Sequence, residues 1–155
     1  MRTTMIYGPH DVRVEDAPDP ELRDPTDAIV SIVRACVCGS DLWSYRGERA
    51  TPEPRPIGHE FIGIVEEVGS DVGNVRAGDF VIAPFTHSDG TCENCRRGWT
   101  TSCDNFGVWG AKGSDGAQLG GAQAEYIRVP FADGTLVGLP QQPDEGAYRD
   151  LLSLS

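Results

Sequence analysis

The sequence predicts a mainly β domain, a partly open β-barrel with short helices. Three observations carry that expectation. Glycine (19 residues) and proline (11 residues) recur between short apolar runs, the rhythm of strands joined by many turns. The runs themselves are rich in β-branched residues, and 155 residues suit one domain, residues 1–155. A globular chain of this size buries roughly 68–70% of the surface its unfolded form exposes, enough for a core without disulfides.

The strands follow in order. Residues 29–35 (Ile-Val-Ser-Ile-Val-Arg-Ala) and 61–68 (Phe-Ile-Gly-Ile-Val-Glu-Glu-Val) are the best core candidates, the second ending at Gly69. Gly78-Asp79 turns the chain into a third strand over 80–83, and residues 124–129 alternate small or apolar with polar side chains before Pro130. Near the end, Asp144 is placed to cap a helix with Ala147, Leu151 and Leu152 on one face. Residues 107–121, with six glycines, read as an irregular loop. No Gly-x-Gly-x-x-Gly follows a strand and no Gly-Lys-Ser/Thr loop occurs, so these residues contain no recognisable nucleotide-binding βαβ unit.

Charge and cysteine usage narrow the functions. A net charge of -11, from 13 basic and 24 acidic residues, argues against binding a phosphate backbone, and so against a nucleic-acid partner. The sequence has no long apolar run of membrane-spanning length and no signal-like N-terminus, so no membrane partner and a cytoplasmic location are expected. Five cysteines, an odd number, read there as thiols and thiolates and not as a disulfide framework.

Two constellations carry chemistry. Cys38-Gly39-Ser40-Asp41 and Gly58-His59-Glu60 both stand where a strand gives way to a loop or short helix. Thiolate and imidazole are good zinc ligands, and the Glu60 carboxylate can bind directly, exchange with water, or support the ligands from behind. Three donors with an open fourth position are the mark of a catalytic zinc. The bland alternative is a buried Cys38 and a hydrogen-bonded turn histidine. The second constellation is Asp89, Cys92, Cys95 and Cys103, with Cys92 and Cys95 at the spacing that wraps one metal. Three thiolates and a carboxylate would close a tetrahedron, giving a structural zinc loop over residues 89–103. A redox Cys-x-x-Cys would need a βαβ setting and would leave Cys103 without a role. Cys36, two residues before Cys38, is read as packing, and His10 and His87 as polar loop residues, contact of His87 with a pocket mouth near Phe85 being the lesser alternative. Trp99 and Trp109 are read as packing under the loop.

Taken together, Cys38-Gly39-Ser40-Asp41, Pro56-Ile57-Gly58-His59-Glu60, Gly63-Ile64-Val65, Gly69, Gly78-Asp79-Phe80-Val81 and the Cys92/Cys95/Cys103 loop resemble the zinc-dependent, medium-chain alcohol dehydrogenases. The resemblance runs from about Met1 to Ser155 and corresponds to that family's N-terminal catalytic domain, GroES-like in fold. It implies that Cys38 and His59 hold catalytic zinc (Zn2+) with Glu60 beside them, and that Asp41 orients His59. It further implies that Ser40 hydrogen-bonds the substrate alcohol and passes on its proton, and that Phe85 walls the substrate pocket. Phe85 as ordinary core packing remains the alternative. The implied reaction is hydride transfer between a small-molecule alcohol or aldehyde and NAD or NADP, in a homo-oligomeric parent protein.

Three departures stand out. Asp89 replaces the first structural cysteine with a harder donor. Trp43 stands where many relatives have a relay histidine, and indole cannot exchange a proton at neutral pH. The family's third protein ligand to catalytic zinc and its C-terminal Rossmann domain would follow Ser155, so residues 1–155 alone are expected to be inactive. Other readings of the same residues are a freestanding zinc-binding module without turnover, a zinc-free quinone reductase relative, or a co-chaperonin subunit, the last two disfavoured by the cysteines and His59.

Overall fold

A computed structural model describes residues 1–113, 116 and 118–155. Among the described residues, ten strands form three antiparallel sheets. β1 (Arg2–Gly8), β2 (Asp11–Asp16) and β4 (Arg55–Pro56) make one, in the order β2-β1-β4. The largest contains β3 (Ala28–Ala35), β5 (Phe61–Val68), β6 (Phe80–Ala83), β9 (Tyr126–Val129) and β10 (Val137–Gly138), in the order β10-β6-β5-β3-β9. β7 (Thr86–His87) and β8 (Gly107–Val108) pair at the base of the cysteine loop. The first two sheets join through the residues before β9: Thr4 N–H donates to Gln123 O at 2.8 Å, and Glu125 N–H to Arg2 O at 3.1 Å. The result is the mainly β, partly open barrel that the turn rhythm predicts, with the three core strands at their expected positions and the 124–129 strand confined to Tyr126–Val129.

Period-two alternation divides β5 and β6 between two cores. Phe61, Val65, Val81 and Ala83 pack with Val30, Trp109 and Ile127 inside the barrel. Ile62, Phe80 and Ile82 face outward and would be exposed but for the C-terminal segment. There Tyr148 stacks on Phe80 with ring centroids 5.4 Å apart, and Leu151 and Leu152 pack alongside. Both faces are thus covered, which is why these strands read as almost unbroken apolar runs. Gly63 lets β5 lie close against β3: a Cβ there would lie 2.4 Å from the carbonyl oxygen of Ser31. A buried ion pair, Asp27 to Arg128 at 2.9 Å, ties the start of β3 to β9, and the same Asp27 oxygen accepts the N–H groups of Arg23 and Asp24.

Among the described residues, four short α-helices punctuate the barrel: α1 (Asp41–Tyr45), α2 (Glu93–Arg96), α3 (Ala132–Thr135) and α4 (Tyr148–Leu152). The C-terminal helix differs from expectation. Its first turn, Glu145–Ala147, is a 3-10 helix, and Asp144 makes no side-chain cap bond. Gly146 in that turn has poor α-helical propensity, and the tighter turn results. The reading of 107–121 as an irregular loop falls partly (114, 115 and 117) outside the described residues; the described part includes β8 and the buried side chains of Trp109 and Leu119.

Two expectations about lone residues fail. His87 is not a polar loop residue but a buried residue of β7, 1% exposed, with Trp109 and Phe131 beside its ring. Burial, and secondarily the Arg128 charge, hold its pKa below the usual histidine value. Its cross-strand partner is Gly107, where a Cβ would fall 2.0 Å from His87 Nε2, so the imidazole occupies the space that glycine leaves. Trp99 does not pack beneath the loop: it is 58% exposed on its rim, whereas Trp109 is buried as expected. Among the described residues, no helix is long and apolar enough to cross a membrane.

Candidate metal centres

The first constellation forms where β3 and β5 begin to part. Beyond Ala35, which pairs with Phe61, the chain runs through Cys38 into α1, and on the other side residues 57–60 lead into β5. Gly58 makes the approach possible. It adopts φ +92°, and a Cβ there would lie 2.6 Å from the Gln123 backbone nitrogen. With no side chain in the way, Ala122 N–H donates to Gly58 O at 2.8 Å and Gln123 N–H to Ile57 O at 3.1 Å. His59 and Glu60 are thereby fixed next to Cys38. The potential ligand atoms of Cys38, His59 and Glu60 all lie within 4.8 Å of one another.

Their surroundings are polarised for that meeting. One Asp41 oxygen accepts the Cys38 N–H at 3.0 Å, while the other lies 3.4 Å from His59 Nδ1. A carboxylate on Nδ1 keeps the proton there and leaves the Nε2 lone pair free, the arrangement usual for a metal-binding imidazole. Ser40 Oγ stands between the two donors, 3.1 Å from Cys38 Sγ and 3.2 Å from His59 Nε2. Phe85 sits edge-on to His59 with ring centroids 4.6 Å apart, and at 42% exposure it belongs to the rim of the site and not to the core. Trp43, on α1, is also exposed.

Cys36 is the residue whose role the sequence did not disclose. Its thiol donates to Glu60 Oε2, and its N–H lies 3.3 Å from Glu60 O. Burial first, then the Glu60 hydrogen bond, push this thiol up to about 12, so it stays protonated. The signal was register: with Ala35 opposite Phe61, the next antiparallel pair is Cys36 with Glu60.

The second constellation is local. Asp89, Cys92, Cys95 and Cys103 present ligand atoms within 4.8 Å of one another in the excursion between β7 and β8. Neither α2 nor the 3-10 turn Thr100–Ser102 buries a residue, so the excursion has almost no core of its own. Backbone amides converge on its donors instead. Asp89 N–H and Asn105 N–H both approach Cys103 Sγ at 3.3 Å, and Cys95 N–H donates to Cys92 Sγ as the N-cap of α2. Asp89 Oδ1 accepts the N–H groups of Thr91 (2.7 Å) and Cys92 (2.9 Å), and Oδ2 accepts Asn105 Nδ2 (2.8 Å). Burial alone would raise the Asp89 carboxyl, but these hydrogen bonds outweigh it and hold the group well below the usual carboxylate range. Amide donors from Asp104 and Cys95 lower the Cys92 thiol, whereas burial raises Cys95 to about 12 and also raises Cys103. All five cysteines are free.

The family model described as the alcohol dehydrogenase GroES-like domain matches residues 24–141. The chain belongs to that family. "Zinc-type alcohol dehydrogenase B" of Aspergillus flavus is 38% identical over 145 residues, which cover 94% of this chain and 33% of that protein. "Glutathione-independent formaldehyde dehydrogenase" of Pseudomonas aeruginosa is 36% identical over 167 residues, covering 99% and 41%. The solved structure of "Alcohol dehydrogenase TADH from Thermus sp. ATN1" superposes with a TM-score of 0.83 at 39% identity, covering 93% of this chain and 41% of that one. This GroES-like chain therefore spans between a third and about two-fifths of the length of these relatives.

Proposed function

We propose that these residues are the zinc-holding catalytic domain of an alcohol dehydrogenase that transfers hydride between a small alcohol or aldehyde and NAD or NADP. The observation that carries this reading is the Asp41–His59–Ser40–Cys38 cluster, in which a thiol and a carboxylate-oriented imidazole converge with a hydroxyl between them. One thiolate, one imidazole and one carboxylate are a donor set that suits zinc, and the outer partner on His59 is already in place. Cys38, His59 and Glu60 would hold the ion, which supplies Lewis-acid polarisation of a substrate oxygen when bound.

The chain's own residues do the rest. Asp41 fixes the tautomer of His59 and the backbone at Cys38, so both donors are preset. Ser40 Oγ is placed to hydrogen-bond a substrate hydroxyl and, giving up its own proton as it takes the substrate's, to pass it on to water, since Trp43 cannot relay it. Phe85, in edge contact with His59, walls the rim of the site on that side. Asp89, Cys92, Cys95 and Cys103 hold a second, structural zinc. Residues 1–155 contain no recognisable nucleotide-binding βαβ motif, so by themselves they are expected to bind metal without oxidising alcohol.

Metal analysis tests the assignment. Two zinc ions per chain are expected, one lost in Cys38→Ser and the other in the Cys92→Ser, Cys95→Ser double variant. A single ion that survives Cys38→Ser, His59→Ala and Glu60→Gln would remove the catalytic centre from the proposal.

A further inference from the structure

We propose that Cys36 is a positioning residue that presents Glu60 to the Cys38–His59 donor pair, an inference that rests on the metal-centre reading above. The geometry begins with the β3–β5 register. Ala35 opposes Phe61, and one step further the Cys36 N–H meets the Glu60 carbonyl at 3.3 Å, so the two residues face each other just past the paired strands. Directly opposed antiparallel residues project to the same side. The Cys36 thiol accordingly reaches the Glu60 carboxylate and donates to Oε2.

A glutamate side chain has several free torsions, and at a strand terminus it could equally swing to solvent. One oxygen tied to Cys36 restricts that swing and leaves the other oxygen without this claim on it, within the group whose donors lie inside 4.8 Å. Cys36 is not one of those donors. A thiol that donates a hydrogen bond, and does not bind metal, acts here as a support for a ligand; loss of such a support typically costs 10–100-fold in metal affinity.

The test is cobalt binding by the whole chain after the cysteine loop has been filled with one equivalent of zinc. The loading is verified by its loss in Cys92→Ser. Cobalt then reports the remaining site through a thiolate-to-metal band that Cys38→Ser abolishes. Cys36→Val, which removes the donor at similar volume, is expected to weaken cobalt binding about 10-fold. Cys36→Ser, which keeps a donor, is expected to stay near wild type. In a Glu60→Gln background the Cys36→Val effect is expected to shrink, because the two residues act through one contact. Retention of the loop zinc in each variant shows that the chain still folds. Cobalt binding in Cys36→Val equal to or tighter than wild type, an undiminished effect in Glu60→Gln, or a loss of thiolate-band intensity marking Cys36 as a ligand, would each overturn the inference. No Cys38-dependent band in the wild-type chain would instead remove the centre itself.

Discussion

Cys38, His59 and Glu60 come from two separate segments that meet because core strands deliver them, whereas Asp89, Cys92, Cys95 and Cys103 lie in one excursion whose two helical turns bury no residue. The first set is held by the barrel, through Gly58 against Gln123, the β3–β5 register and the Asp41 carboxylate. The second set is held by amide hydrogen bonds to sulfur and to Asp89. A centre made by the fold can keep a coordination position open for chemistry, since the fold does not depend on the metal. A centre that substitutes for a core depends on the ion, and its ligands close around it.

The largest expected effect follows from that dependence. Removing metal with a chelator, or changing Cys92 and Cys95 together to Ser, is expected to unfold residues 89–105 while β3, β5 and β6 remain protected in amide exchange. Structural zinc in small domains carries an apparent binding free energy of about 10–16 kcal/mol, which is folding free energy where no core exists. If the loop keeps its protection without metal, the contrast between the two regions fails.

The reverse experiment breaks the fold-made centre. Gly58→Ala forces a Cβ to within 2.6 Å of the Gln123 nitrogen and places alanine at φ +92°. The strained backbone alone costs about 1–3 kcal/mol, and the steric overlap adds to it. Segment 57–60 is expected to shift, so that the chain loses the metal at Cys38 and His59 but retains the loop zinc. Metal stoichiometry and thermal denaturation read the two consequences separately; loss of both ions would show that the regions are not independent.

The contrast also explains what the sequence disclosed. Motifs with fixed short spacings, Cys92-x-x-Cys95 and Cys38-x-Ser40-Asp41, were legible because their chemistry lies in local order. The core strands were legible because both faces of β5 and β6 are covered, leaving long apolar runs. The β1–β2 hairpin was not, since β2 exposes Val12 and Val14 and has no residue in the core. His87 misled because its burial depends on the glycine at 107, a cross-strand fact that no local pattern contains. Cys36 misled in the other direction: a cysteine in a strand reads as packing until the register places Glu60 opposite it.

A smaller effect separates orientation from stability. Asp41→Ala removes the carboxylate from His59 Nδ1 and from the Cys38 N–H, at a site outside both hydrophobic clusters. Affinity of the first centre for zinc is expected to fall 10–100-fold, roughly 1.4–2.8 kcal/mol, with the loop zinc unchanged. A competition titration with a chromophoric chelator distinguishes the two ions. Equal weakening at both sites would mean that Asp41 acts through the barrel and not through His59.

The smallest effect concerns Asp89, where the two modes of construction overlap. Its oxygens accept Thr91 N–H, Cys92 N–H and the Asn105 amide, so the side chain shapes the loop in addition to offering a hard ligand. Asp89→Cys supplies a fourth thiolate, which zinc prefers to carboxylate in closed structural sites, but gives up three good acceptor contacts. Net hydrogen bonds of this kind contribute about 1 kcal/mol each, less where water replaces them at an exposed loop. Tighter zinc binding is therefore expected together with a looser metal-free loop, seen as faster amide exchange at Thr91 and Cys92 in the chelated protein. Asp89→Asn makes the complementary change: an amide oxygen can still accept from Thr91 and Cys92 but loses the anionic donor. Zinc should bind it more weakly while those two amides keep their protection. Identical zinc affinity in Asp89→Asn and wild type would confine Asp89 to shaping the turn and leave the three thiolates with the metal.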